Sequence, residues 1–214
     1  ASTTADGQAI FELEQPLDID ALFLDTSCVQ ANIHYPVDWV LLRDATRTLM
    51  KAVALIRRYG LKNRMSEPSE FIRDINRLCI EMTHTRRRPD SRKARKRVLR
   101  FMKKLMKRID AHARKHRDLL EKERERTELS EGEAAAIIKR IDGVRALLPK
   151  AIKQAHERII GGRKVTNADK ILSLYEPDVH VLVRGKAGAE VEFGNTLLIA
   201  VGDGAGADRE VGLL

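Results

Sequence analysis

The sequence predicts an α/β chain: one short strand, then a large block of helices, then a β hairpin. Three observations carry that reading. Apolar residues recur at spacings of three and four from about residue 38 to about residue 160. Short, apolar, β-branched runs stand on either side of that block. Aromatic residues are only 4% of the 214, which suits aliphatic helix packing better than an aromatic-rich β sandwich. At 43% hydrophobic, the chain can build a sizeable core, as one domain or two small ones.

The elements follow in order. Residues 1–20 are mixed and weakly patterned and read as an N-terminal stub. Ala21-Leu22-Phe23-Leu24 reads as a buried strand that ends at Asp25-Thr26-Ser27, and Cys28 to Ile33 continue in extended style. Pro36 keeps Tyr35 out of helical geometry, which closes a first strand block over 21–37. Asp38 reads as the N-cap of a first helix carrying Leu41, Leu42, Ala45, Leu49, Val53 and Ile56, with Gly60 as its stop. A second helix starts near Ser66-Glu67-Pro68 and buries Phe71, Ile75, Leu78, Cys79 and Met82. A third, from about Arg92 to Arg126, carries the seam Val98, Met102, Leu105, Ile109, His112, His116 and Leu119, flanked by Leu99, Met106, Ala113 and Leu120. Ser130 with Glu133 makes a capping box for a fourth helix bearing Ala134, Ile137, Ile141, Val144, Leu148, Ala151 and Ala155. Pro149 should kink that helix and Gly161-Gly162 should end it. The short connection Thr127–Gly132 predicts a long antiparallel helical hairpin, within a helical segment spanning 38–162. In 163–201, His180 to Arg184 and Val191 to Val201 flank the turn residues Gly185–Gly188 and read as the β hairpin. Residues 202–214 are glycine-rich and polar, with no structure expected past Val201.

The formal charge is +9, and it is unevenly placed. From Arg86 to Arg117 there are sixteen Lys and Arg against Asp90 and Asp110, a local +14 that leaves the rest of the chain at −5. The bland reading is a solvated face that keeps a long hairpin soluble. So large an excess points instead to a polyanion, of which nucleic acid is the commonest. The expected contacts are Arg86, Arg87, Arg88, Arg92, Lys93, Arg95, Lys96, Arg97, Arg100, Lys103, Lys104, Lys107 and Arg108. No apolar run approaches the roughly 18 residues of a transmembrane helix, so no membrane partner is expected. Ala1 to Gln8 lack the basic-then-apolar pattern of a secretory signal. Cys28 and Cys79 form no CxxC pair, and a reducing cytoplasm is the expected setting.

Other candidate chemistry is weak on spacing alone. Asp25, between a strand and two hydroxyl residues, could ligate a metal, but one carboxylate cannot hold two divalent ions, and a strand-end cap is the simpler reading. His112 and His116 have zinc-like spacing without a third ligand, and fall on the seam as core residues. The glycines at 202–206 and Gly185-Lys186 lack the phosphate-loop pattern, and Ser27 has no hydrolase context.

Two stretches add a resemblance. LDTSCVQANIHYPVDWVLL (24–42) resembles the first catalytic block of bacterial insertion-sequence transposases of the DDE type, in which Asp-Thr-Thr or Asp-Thr-Ser leads into Asn-Ile-His-Tyr-Pro-x-Asp. ERIIGGRKVTNADKILSLYEPDVHVLVRGKAGAEVEFGNTLLIA (157–200) resembles the block that follows the long helical insertion in those proteins, most closely the group catalogued as not classified yet (ISNCY). The resemblance implies a partial RNase H-like sheet, one strand plus a hairpin, interrupted by a helical insertion. It implies Mg²⁺ or Mn²⁺ as cofactor, insertion-sequence ends and target DNA as partners, self-association, and Asp25 as the first acid of a metal-binding triad. It suggests that Arg184, Lys186 and Glu192 line or position DNA. The second Asp and the Glu of the family belong to later blocks, so no strand transfer is expected from this chain alone and no tight metal binding. After Ala200 the sequence departs from the family's Gly-Leu-Ile-Val-Asp-Trp-Glu. Residues 207–212 permit codons that, read one base later, give Leu-Ile-Val-Lys-Trp, so a frameshifted tail is expected. A sheet of so few strands is expected to leave an open edge and to be marginally stable. Two rival functions need no catalysis: a basic helical DNA- or RNA-binding module, and a helical oligomerisation scaffold.

Overall fold

A computed structural model describes residues 21–31, 33, 37–186, 189–203 and 211–213. The chain divides into two compact units, a helical one over 31–181 and a sheet one built from the residues on either side of it.

In the sheet unit, β1 (Ala21–Gln30) pairs antiparallel with β3 (Ala189–Asp203), from Ala21 opposite Asp203 to Gln30 opposite Gly194. β2 (His180–Lys186) lies on the other side of β3, giving the order β1-β3-β2. β4 (Val211–Leu213) also pairs antiparallel with β3, across Ile199 to Val201. β1 already occupies one edge of β3 along that stretch, so β4 shares the opposite edge with β2. Two expectations are corrected here. The first strand does not end at Asp25-Thr26-Ser27, because every residue of β1 is in register with one of β3 and the ladder runs on across the polar triplet. Structure also continues past Val201, since β3 extends to match β1 and its free edge takes up Val211–Leu213. Of the expected turn residues, Gly185 and Lys186 belong to β2, and 187–188 lie outside the described residues. The close approach of β1 and β3 requires glycine at 194: a Cβ there would overlap the Val29 carbonyl oxygen.

The helical unit holds α1 (Asp38–Arg58), α2 (Pro68–His84), α3 (Ser91–Glu123) and α4 (Glu131–Ala155). A π-helical turn over His156–Gly161 follows α4 and stops at Gly162, whose φ of 69° only glycine adopts freely. α4 runs through Pro149 without a break in its helical span. The capping box is present: the Ser130 hydroxyl accepts from the Glu133 N–H, and the Glu133 carboxylate accepts from the Ser130 N–H. The α3–α4 hairpin is antiparallel, with Arg145 on Asp110 at 2.7 Å and Arg117 on Asp142 at 3.1 Å.

α1 and α3 each pack against the other three helices. This changes the expected role of the α3 seam, which does not serve α4 alone. Leu99, Met106, Ala113 and Leu120 are as fully buried as Val98, Met102 and Ile109, whereas His112 and Leu119 sit at the edge. A helix covered from three sides needs a wider apolar stripe than a two-helix seam. The α2 residues Phe71, Ile75, Leu78, Cys79 and Met82 are buried as the spacing predicts. Among the described residues no helix is long and apolar enough to cross a membrane.

Asp38 departs most from expectation. It is the first residue of α1 and not its cap, a position held by Val37, which makes no side-chain cap bond. Its side chain is buried, and its Oδ1 accepts from Gln154 Nε2 at 3.0 Å and from an Arg158 guanidinium N–H at 2.9 Å. Gln154 also holds both backbone groups of Ile171: its Oε1 accepts from the N–H at 2.8 Å, and its Nε2 donates to the carbonyl at 3.2 Å. Ile171, Leu172 and Leu174 are buried, so the segment after Gly162 belongs to the helical unit up to Val181 rather than to the hairpin.

Two outcomes test this account. Asp38→Ala leaves the buried Gln154 amide short of a partner and frees the half-exposed Arg158, and should lower unfolding free energy by about 1–3 kcal/mol in a urea melt, with the m-value unchanged. Gly194→Ala should force β1 away from β3, read as loss of amide-exchange protection across 21–30 while α1–α4 stay protected.

Candidate nucleic-acid interface

The helical period decides which α3 side chains meet solvent. Val98, Leu99, Met102, Leu105, Met106 and Ile109 turn inward, which forces Arg97, Arg100, Phe101, Lys104, Lys107 and Arg108 outward. No acid occurs from Ser91 to Ile109.

Packing then sorts the expected contacts into groups. Arg87, Arg88, Arg92, Lys93, Arg97, Arg100, Lys104, Lys107 and Arg108 are exposed, while Arg95, Lys96 and Lys103 are half-buried. Several of them are engaged by the protein itself. The Arg95 guanidinium lies over the Trp39 ring at 5.5 Å and that of Arg108 over Phe71 at 5.2 Å. Lys103 Nζ sits 3.2 Å from His156 Nδ1. Arg97 pairs with Glu81 at 3.4 Å and Arg88 with Asp90 at 3.6 Å. Arg100, Lys104 and Lys107 make no ion pair among the described residues, and with Arg97, Lys103 and Phe101 they line one open concavity. The C-terminal half of α3 is different. Asp110 is taken by Arg145, and Arg117 is held by Asp142, Asp118 and Glu121. The uncompensated charge therefore lies on the first half of the helix.

Asp25 lies within β1, opposite Ile199. Its side chain and those of Arg86, Arg184 and Lys186 lie outside the described residues. Among the described residues no group of three or more His, Cys, Asp or Glu could hold a metal ion. One carboxylate supplies fewer oxygen ligands than a divalent ion takes, so no two-metal step is assigned to these residues. Cys79 is buried, donates to the Trp39 carbonyl at 3.5 Å, and is pushed up to about 11 by burial, which leaves an unreactive thiol.

Sequence reasoning did not single out Phe101. It falls off the apolar seam and between cations, and that misplacement was the available signal. Nor did it foresee that Asp38 and Arg158, far apart in sequence, would form an ion pair.

No protein-family model matches the chain, and neither a curated protein nor a solved structure matches it.

His116 lies in the core as its place on the seam implies, whereas His112 is half-buried at the edge. His116 is fully buried, with Nδ1 2.8 Å from the His112 carbonyl oxygen. His116 Nε2 and His112 Nδ1 are buried without hydrogen-bond partners, and the His112 ring meets Phe71 edge-on. Burial lowers both pKa values below the ordinary 6.5; His116, Lys115, Arg108 and Arg57 add to the effect on His112, and Arg57 adds to that on His116. The unfolded chain therefore takes up these protons first. Stability should be complete above about pH 6.5 and fall as pH drops toward the depressed native values. Urea midpoints measured from pH 7.5 to 5 should show this decline, and His112→Gln/His116→Gln should flatten it.

Proposed function

We propose that this chain is a DNA-binding part of a DDE-type insertion-sequence transposase. In this reading β1 and the β2–β3 pair belong to an RNase H-like catalytic sheet, the helical unit is the insertion, and the first half of α3 grips the DNA backbone. The observation that carries it is the sorted charge: the first half of α3 is an acid-free run of cations in which Arg100, Lys104 and Lys107 make no ion pair among the described residues, while Asp110 and Asp142 are taken up by the hairpin. The family part of the reading rests on the two resembling blocks. Their behaviour supports it, since β1 of the first pairs with β3 of the second, and Asp38 of the first bonds Arg158 of the second. Asp25 would be one carboxylate of a triad that takes Mg²⁺ or Mn²⁺. Its role would be to bind metal, while α3 holds the DNA. The site of action would be the cytoplasm.

One observation favours a second reading, a non-enzymatic DNA-binding module. The helical unit has its own continuous core and carries the whole basic face within it.

Fluorescence anisotropy with a labelled duplex tests the shared claim. Binding should weaken steeply with salt, log K falling by about 0.9 per phosphate neutralised. Arg100→Glu/Lys104→Glu/Lys107→Glu should weaken binding at least tenfold and lower that salt slope, and an unchanged affinity would remove α3 from the interface. Asp25→Ala should leave affinity within twofold under either reading. Inverted repeats bracketing the gene would separate the transposase from the module.

A further inference from the structure

We infer that the basic face of α3 takes single-stranded or locally unpaired DNA, with Phe101 as the platform on which one exposed base stacks. The inference rests on the proposed DNA-binding role of α3 and narrows its substrate.

Phe101 is 51% exposed, on a helix whose other large apolar residues are buried or half-buried. The other aromatic rings in contact with this helix are occupied: Trp39 by Arg95, and Phe71 by Arg108 and His112. Phe101 has no ring partner among the described residues, and about half of its surface meets solvent. Around it stand Arg97, Arg100, Lys103, Lys104 and Lys107. Any partner that covers the ring must also approach those cations. An apolar protein surface would bury the charges unpaired, at high cost. A purely acidic chain would satisfy the charges and leave the ring bare. A nucleotide answers both demands, with a flat π face for the ring and a phosphate on either side for the cations. Intact duplex hides its base faces in the stack, which leaves single strands, frayed ends and distorted sites as the substrates that can use Phe101.

The full chain is titrated against three labelled probes: oligothymidine, an abasic oligonucleotide of equal length, and a duplex. Wild type should bind oligothymidine more tightly than the abasic strand. Phe101→Ala should weaken oligothymidine binding about tenfold, and leave the abasic strand and the duplex within twofold. Phe101→Trp should retain the oligothymidine affinity, because the wider ring still stacks. Equal affinity of wild type and Phe101→Ala for oligothymidine would overturn the stacking role. If Arg100→Glu/Lys104→Glu/Lys107→Glu still loses binding in that case, the DNA-binding face survives and only the base platform falls. Failure of wild type to bind any probe at low salt would remove both.

Discussion

The helical unit depends on one buried carboxylate. Asp38 stands where the chain enters α1, and the groups that satisfy it, Gln154 and Arg158, stand at the end of α4 and in the turn that follows. Gln154 then clamps both backbone groups of Ile171. The polar set therefore ties the entry of the unit to its exit across more than a hundred residues. A buried charge is tolerated only when paired and hydrogen-bonded, so the carboxylate is useful only if both ends of the unit are in place. The aliphatic core of α1–α4 supplies most of the stability by burial. The Asp38 set supplies register: sliding α4 past α1 by one turn would leave a charge and an amide without partners.

That register bears on function, because it fixes which face of α3 is left to solvent. α3 is covered by three helices along an unusually wide apolar stripe. What remains outward is narrow and almost wholly cationic over its first half. The salt links to α4 act only on the second half, where Asp110 and Arg117 fix the hairpin. The same sequence run thus serves as a packed core on one side, a structural ion-pair ladder at one end, and a surface of unbalanced positive charge at the other.

Much of this was legible in the sequence because the signals are local and periodic. The buried set of α2 follows from spacing alone, and the Ser130–Glu133 box needs only the two residue types three apart. The misses were tertiary. An aspartate before an apolar helix usually caps it, and only the distant Gln154 and Arg158 reveal that Asp38 is drawn inside. The seam of α3 and its flanking residues show which side chains are apolar, but nothing in that pattern reports that three helices cover them. Val211–Leu213 is too short to declare itself as a strand; it forms because β3 offers a free edge. At the interface the charge was evident by count, but the division into engaged and unengaged cations depends on Glu81, His156, Trp39 and Asp142, which lie outside the basic run.

The first turn of α3 has a thermodynamic consequence. A helix N-terminus carries partial positive charge and is best served by acids and a capping side chain. Here Asp90 makes no side-chain cap bond, and the opening turn holds Arg92 and Lys93 with no acid. The opening of α3 is thus electrostatically frustrated in the free protein and is held helical by the packing of Ala94, Val98 and Leu99. An anion settling there relieves the macrodipole and the mutual repulsion of the cations together. If α3 binds a polyanion as proposed, binding and local folding would be one equilibrium, in which the anion supplies the charge that the opening turn lacks.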